Sequence, residues 1–272
     1  MQTSQYANIE GKDCGSVKHA TIRVIINKQS IQEEKSMNKI LADMHTHTIA
    51  SGHAYATLTE MCKEAANKGL EIYGITEHSS GIPGTCADIY FQNLRVVPRD
   101  LFGLDLRLGA EINIIDYNGT LDLDQKYIDR LDFVIAGIHS VCYKFGSKEE
   151  NTAAIINAIK NPNVNIISHP DDGRCPLDYE ALVQAAKEYH VLLEINNNAL
   201  RDKNRKNVKE NQKLIIENCK KYNHPFIMGS DAHFTTDIAN YDHCGPLVES
   251  MNVDNELIMN YYPDRLREFL RK

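Results

Sequence analysis

Seven short apolar runs punctuate the chain from residue 38 onward, and five of them bring a histidine to or near their close while a sixth carries Glu111. They read "KILADMH", "EIYGITEH", "LRLGAEINI", "FVIAGIHS", "VNIISHP", "VLLEINN" and "PFIMGSDAH". Several are rich in β-branched residues, and helix-compatible segments follow most of them. "TLTEMCKEAANKG" opens with Thr57 and Glu60 at capping-box spacing and closes on Gly69. "DYEALVQAAKEYH" carries apolar residues at helical period behind Asp178, and "NQKLIIENCKKY" reads the same way. The Asn118-Gly119 pair in "DYNGT" predicts a tight hairpin after the third run. Strands alternating with helices, and apolar enough to be buried on both faces, predict an α/β fold with a parallel sheet. Seven such units suggest a closed or nearly closed barrel.

Residues 1–36 differ. They are polar, with "TIRVII" as the one short strand candidate, whereas Met37 begins a stretch that looks like a natural start. The expectation is an N-terminal appendage over 1–36, poorly ordered or the product of an upstream start assignment, and one barrel domain over 37–272.

The carboxyl ends of parallel barrel strands converge on one face, which is where such folds place their sites. His45 and His47 end the first run, Glu77 and His78 the second, Glu111 the third. His139 ends the fourth, His169 the fifth, and Asp231 and His233 the seventh. His53 lies in the loop after the first. A single histidine at a strand end is more often structural than a ligand; the same feature at five strand ends, with two carboxylates, argues for metal. His45 and His47 at i and i+2 on a strand face one side, their Cα atoms roughly 6–7 Å apart, and Asp231 and His233 repeat that geometry. The donors are nitrogen and oxygen without thiolate, which suits Zn, Mn or Fe. Nine of them exceed what one ion takes, so two or three ions are implied, with Glu111 able to bridge.

Other residues are weaker candidates. Asp43 and Glu77 stand where they could orient ligands from behind. Lys144, Arg174 and the Asn196-Asn197-Asn198 run lie just past strand ends and are candidates for an anionic substrate. Cys86, Cys142 and Cys175 fall in loops on the same face, but none has a nucleophile arrangement. His19, His190, His224 and His243 read as solvated or structural.

A net charge of −7 argues against extended nucleic-acid binding, which needs basic surface. Seven cysteines, an odd number with no CxxC pair, point to reduced thiols. No apolar run approaches the roughly 18–20 residues of a membrane span, and no secretory signal pattern opens the chain. A cytoplasmic protein without a membrane partner is expected.

The motifs "DMHTHT", "TEH", "GAEINI", "IAGIHS", "ISHP" and "GSDAH", in this order, resemble those of the PHP (polymerase and histidinol phosphatase) superfamily. The likeness runs from about residue 38 to 245 and is nearest to single-domain trinuclear phosphoesterases of the YcdX type. It implies a distorted seven-stranded (β/α)7 barrel, in agreement with the seven runs counted above. It also implies three divalent ions, Zn first, with Mn or Fe as alternatives. His45, His47, Glu111 and Asp231 would hold one. Glu111, His139 and His169 would hold the second, and His53, His78 and His233 the third. Asp231, Glu111 and His233 are the expected catalytic residues. The loop "HPDDGRCPLD" departs from the shorter Gly-Asn-Pro turn associated with close relatives, which leaves the substrate open.

The expected activity is metal-dependent hydrolysis of a small phosphorylated metabolite, a phosphate monoester, by attack of a metal-bound hydroxide. Phosphodiesterase or exonuclease action on short oligonucleotides is the alternative. A non-catalytic metal-binding module is the more distant one, and oligomerisation stays open. Amidohydrolase barrels also begin with HxH, but they place a carboxylated lysine where this chain has His139.

Overall fold

The computed structural model describes residues 39–270; the appendage expected over 1–36 lies outside the described residues. The strands are β1 (Ala42–Asp43), β2 (Ile72–His78), β3 (Asp100–Leu101), β4 (Leu104–Asn113), β5 (Val134–Gly137), β6 (Val164–Ile167), β7 (Leu192–Asn196) and β8 (Ile227–Gly229). The longer helices between and after them are α1 (Leu58–Asn67), α2 (Lys148–Ile159), α3 (Tyr179–Tyr189), α4 (Val208–Tyr222) and α5 (Pro263–Leu270).

Seven strands run parallel in the order β1-β2-β4-β5-β6-β7-β8. They form a nearly closed α/β barrel, as the seven runs require. The remaining strand, β3, is a two-residue antiparallel stub on β4. It was not anticipated, because the turn at Phe102-Gly103 joins residues too few to show an alternating pattern.

Local signals act as their chemistry predicts. Thr57 and Glu60 form a reciprocal capping box at the start of α1, and Gly69 follows its end with φ +74°. The Asp178 side chain accepts from Ala181 N–H at the start of α3. The Asn118-Gly119 turn closes a short antiparallel bridge between Ile114 and Leu121.

The strands separate two apolar clusters by alternation. Leu193 and Ile195 of β7 and Met228 of β8 pack outward under the helices. Leu192, Ile227, Ile135 and Ile72 pack inward, joined by Leu266, Phe269 and Leu270 from α5. The amino-terminal end of the barrel is therefore apolar, and polar side chains are left to the opposite end.

Between β1 and β8 the ladder is interrupted, and side chains complete it. Asn260, fully buried, donates from Nδ2 to the carbonyls of Ala42 (3.0 Å) and Met228 (2.8 Å) and accepts Met228 N–H at 2.7 Å. Above it, Thr46 bridges Ala232 in parallel fashion, with His47 N–H donating to the Ala232 carbonyl at 2.9 Å. The seam thus lays His45-Thr46-His47 alongside Asp231-Ala232-His233.

Candidate metal centre

The donors at the carboxyl end gather around Glu111. Register pairs Glu111 of β4 with His78 at the end of β2. One carboxylate oxygen, Oε2, lies 3.2 Å from His45 Nε2, 3.5 Å from His47 Nε2 and 3.0 Å from His78 Nδ1. The other, Oε1, lies 3.3 Å from His139 Nε2 and 2.9 Å from His169 Nε2. Asp231 Oδ1 is 3.3 Å from His47 Nε2, 3.6 Å from His45 Nε2 and 3.5 Å from His233 Nδ1. On the solvent side, His233 Nε2 faces His53 Nε2 at 2.9 Å. All nine residues singled out from the sequence are therefore brought together.

Hydrogen bonds do not hold the inner donors together. His45 Nε2, His47 Nε2, His78 Nδ1 and both Glu111 oxygens are buried without a hydrogen-bond partner. The outer ring nitrogens explain why. His45 Nδ1 donates to Glu194 Oε1 at 2.7 Å, His47 Nδ1 to Ser51 Oγ at 3.1 Å, and His139 Nδ1 to Asn113 Oδ1 at 2.7 Å. His53 and His233 donate from Nδ1 to the carbonyls of Ser51 (3.0 Å) and Asp231 (2.9 Å). In the neutral tautomer that these five bonds favour, the inner nitrogen presents a lone pair. Lone pairs and carboxylate oxygens at about 3 Å repel unless a cation lies among them, so the arrangement fits metal ions.

Charge agrees. Burial raises the carboxyl of Glu111, but His45, His139 and His78 outweigh it and hold it well below the ordinary range. Asp231 is likewise held down, against burial, by His45, His47 and His233. Burial, with His78 and His233 beside it, keeps His47 neutral. Burial also disfavours charge on His45, yet Glu194, Glu111 and Asp231 lift it well above its usual value, so without an ion a proton takes the cation's place at its inner nitrogen. The centre thus favours a cation. Donor atoms fall within 4.8 Å in three sets: His45-His47-Glu111, His78-Glu111-His139 and His47-His78-His233. His47, His78 and Glu111 each belong to two of them and so link the sets.

Two of the nine residues occupy unusual backbone. His169 has φ 28° and Asp231 φ 53°, conformations that non-glycine residues hold at a cost and that gather at functional sites.

The second row of contacts was only partly foreseen. Glu77 accepts from Thr48 N–H, Thr48 Oγ and Ser51 Oγ, so it orients His47 through Ser51. Asp43 does not touch a ligand ring; it fastens Ser230 and Ala239 N–H across the seam. Glu194, Ser51, Asn113 and Asp122 were missed. Asp122 accepts from Asn113 Nδ2 at 2.7 Å and thereby fixes the amide that holds His139. A glutamate inside the apolar run "VLLEINN" was the available signal for Glu194.

A cavity of about 260 Å³ opens beside the donors, with His53, His78, His139 and His169 at one end. Ile82, Val141, Phe145 and Leu177 supply apolar wall, and Arg174 and Arg205 line it too. Arg174 is already forked onto Asp172, with Nη2–Oδ2 at 2.6 Å. Lys144 is exposed and does not line it. Asn196 donates toward Asp231 Oδ2 at 3.4 Å, and Asn197 accepts from His243 and Cys244 N–H, so neither is a free substrate contact. Cys175 borders the cavity, but burial pushes its thiol up to about 12, which suits a bystander.

A model of the PHP domain matches residues 43–218, which contain seven of the nine donors. The chain belongs to the PHP domain family. A probable phosphatase of Caldicellulosiruptor saccharolyticus is 48% identical over 231 residues, 84% of this chain and 95% of its own. A probable phosphatase of Acetivibrio thermocellus is 42% identical, over 86% of this chain and 96% of its own. Of solved structures, histidinol phosphate phosphatase from Lactococcus lactis, complexed with Zn, L-histidinol and phosphate, superposes with TM-score 0.57 at 18% identity. That match covers 79% of this chain and 95% of the other. A chain of archaeal ribonuclease P with mature tRNA superposes with TM-score 0.54 at 17% identity, over 85% and 92%. At these identities the likeness is one of fold. No helix among the described residues is long and apolar enough to cross a membrane.

Proposed function

We propose that this PHP protein is a metal-dependent phosphatase acting on a small phosphate monoester. The observation that carries this reading is the set of buried, unpartnered inner donors around Glu111, opening onto a cavity of small-molecule size. Relatives at 42–48% identity named as probable phosphatases support it. So does a fold shared with a phosphatase whose structure holds zinc and phosphate.

His45, His47, Glu111 and Asp231 would hold one ion. Glu111, His139 and His169 would hold a second, and His53, His78 and His233 a third. Zn is the first candidate, as the phosphatase of shared fold holds it, with Mn or Fe as alternatives. When bound, such ions supply positive charge against a phosphate dianion and lower the pKa of water toward neutrality.

The chain's own part is arrangement. Only two of the nine donors, Glu111 and Asp231, carry charge, which leaves the loaded centre receptive to an anion. Glu111 offers one oxygen to each side and is suited to bridge. Asp231 and His233 stand together on the loop after β8, where His233 is 24% exposed and Asp231 is buried. The apolar wall of Ile82, Val141, Phe145 and Leu177 would receive the leaving group and exclude water around it.

The test is a phosphatase screen over a panel of monoesters and diesters after reconstitution with Zn, Mn or Fe. Monoester turnover that depends on the added metal is expected. Activity confined to diesters, or none in any metal-loaded form, would overturn the reading.

A further inference from the structure

β7 is the one parallel strand that offers no candidate ligand at its end, yet it places a carboxylate in the middle of the site. Leu192 packs in the barrel interior while Leu193 and Ile195 pack outward. Alternation therefore turns Glu194 inward, where it is 1% exposed. Among the described residues no lysine or arginine pairs with it. A buried carboxylate without such a partner carries a large desolvation cost, and its hydrogen bonds show what it does there. Oε1 accepts His45 Nδ1–H at 2.7 Å, while Oε2 accepts His169 N–H at 2.7 Å and Asn196 Nδ2 at 3.0 Å.

Those two ligands face opposite oxygens of Glu111, His45 Nε2 at Oε2 and His169 Nε2 at Oε1. Glu194 therefore spans from behind the same two sides that Glu111 spans from within. Its bond to His169 N–H also holds that residue at φ 28°. The neighbouring strand makes room: a Cβ on Gly229 would lie 1.7 Å from Glu194 Oε1. No other outer contact is built this way. Glu77 reaches His47 through Ser51, Asp122 reaches His139 through Asn113, and the outer pair His53 and His233 rest on backbone carbonyls.

We propose that Glu194, seated against Gly229, is a positioning residue that fixes the two metal sites sharing Glu111, aligning His45 and His169 together and leaving the outer site independent of it. This rests on the metal-dependent reading above. A carboxylate one bond behind a ligand strengthens metal binding about 10–100-fold. Glu194 acts on both inner sites at once, so its loss removes ions as a pair.

The experiment measures bound zinc per chain, and dissociation constants by chelator competition, in the wild type, Glu194→Gln, Glu194→Ala, Gly229→Ala and the double variant Glu194→Ala/Gly229→Ala. Absorption of the cobalt-substituted proteins reports the geometry of the ions that remain. Glu194→Gln should weaken two ions by about 10–100-fold and leave the third at wild-type affinity. Gly229→Ala, which keeps the carboxylate but displaces it, should reproduce that pattern. In the double variant the two changes should be non-additive, because Gly229 acts only through Glu194. If Glu194→Gln does not fold, Gly229→Ala decides by the same measurement. Wild-type affinity at every site in the folded variants, or an equal loss at all of them, overturns the positioning role while leaving the metal-dependent reading in place. A wild-type chain that binds no zinc overturns both.

Discussion

His139 donates its Nδ1 proton to Asn113 Oδ1 at 2.7 Å, and this bond decides that Nε2 is the nitrogen left for Glu111 and a metal ion. The Asn113 amide is fixed in turn, because its Nδ2 donates to Asp122 Oδ2 and to Ser79 Oγ. Asn113→Ala should weaken zinc at the His139 position by about 10–100-fold. Chelator competition reads this directly, and unchanged affinity would show that His139 needs no such support.

Removing a donor should be harsher than removing its support. His45→Ala and Asp231→Asn should each reduce phosphomonoester turnover to background. Circular dichroism should stay native, since the apolar interior of the barrel lies at its other end. Retained turnover in either variant would refute their place in the centre.

Metal removal should also cost stability, because the inner donors repel one another without a cation. A single ion present at a thousand times its dissociation constant contributes about 4 kcal/mol. Dialysis against a chelator should therefore lower the melting temperature by roughly 8–16 °C for a domain of this size. Adding zinc back should restore it; a melting temperature indifferent to zinc would contradict metal binding.

The seam between β1 and β8 depends on Asn260. Asn260→Ala would leave Met228 N–H without its bond and the carbonyls of Ala42 and Met228 with only the Tyr241 hydroxyl, at 3.4 Å from each. Each buried orphan costs about 1–3 kcal/mol, so the variant should lose roughly 3 kcal/mol or more in urea unfolding. A loss below 1 kcal/mol would mean that the seam closes by other contacts.

His224 should give the fold an acid-sensitive step of its own. Burial lowers its pKa from 6.5 to about 4, although Nε2 donates to the Val191 carbonyl at 2.9 Å. The unfolded chain takes up this proton near pH 6.5 and the folded one not until about pH 4. Stability is therefore intact above pH 6.5 and declines as the pH falls through that window. At pH 5 the decline amounts to about 2 kcal/mol. His224→Gln should lose about 2 kcal/mol less than the wild type between pH 7 and pH 5; identical pH dependence would rule this out.

Much of this was legible in the residues, and the reason is local. Capping at Thr57 and Asp178 and the Asn118-Gly119 turn depend on a few neighbouring positions. The donors were legible because a parallel barrel sends every strand end to one face. His45 and Asp231 could thus be grouped without knowing the path between them. What stayed hidden was long-range or small. The two-residue strand β3 has too little pattern to notice, and Asp43, beside the first ligand motif, turned out to fasten the seam.

The sequence by itself determined the α/β barrel architecture and singled out the nine side chains that the fold gathers at one end, since periodicity and residue type are properties of short segments. The tertiary structure decided which nitrogen of each ring faces inward. It also made Glu194 a partner of both His45 and His169 and left Gly229 without a side chain. Those outcomes depend on atoms from separate strands meeting within 3 Å, and no single stretch of chain encodes such a meeting.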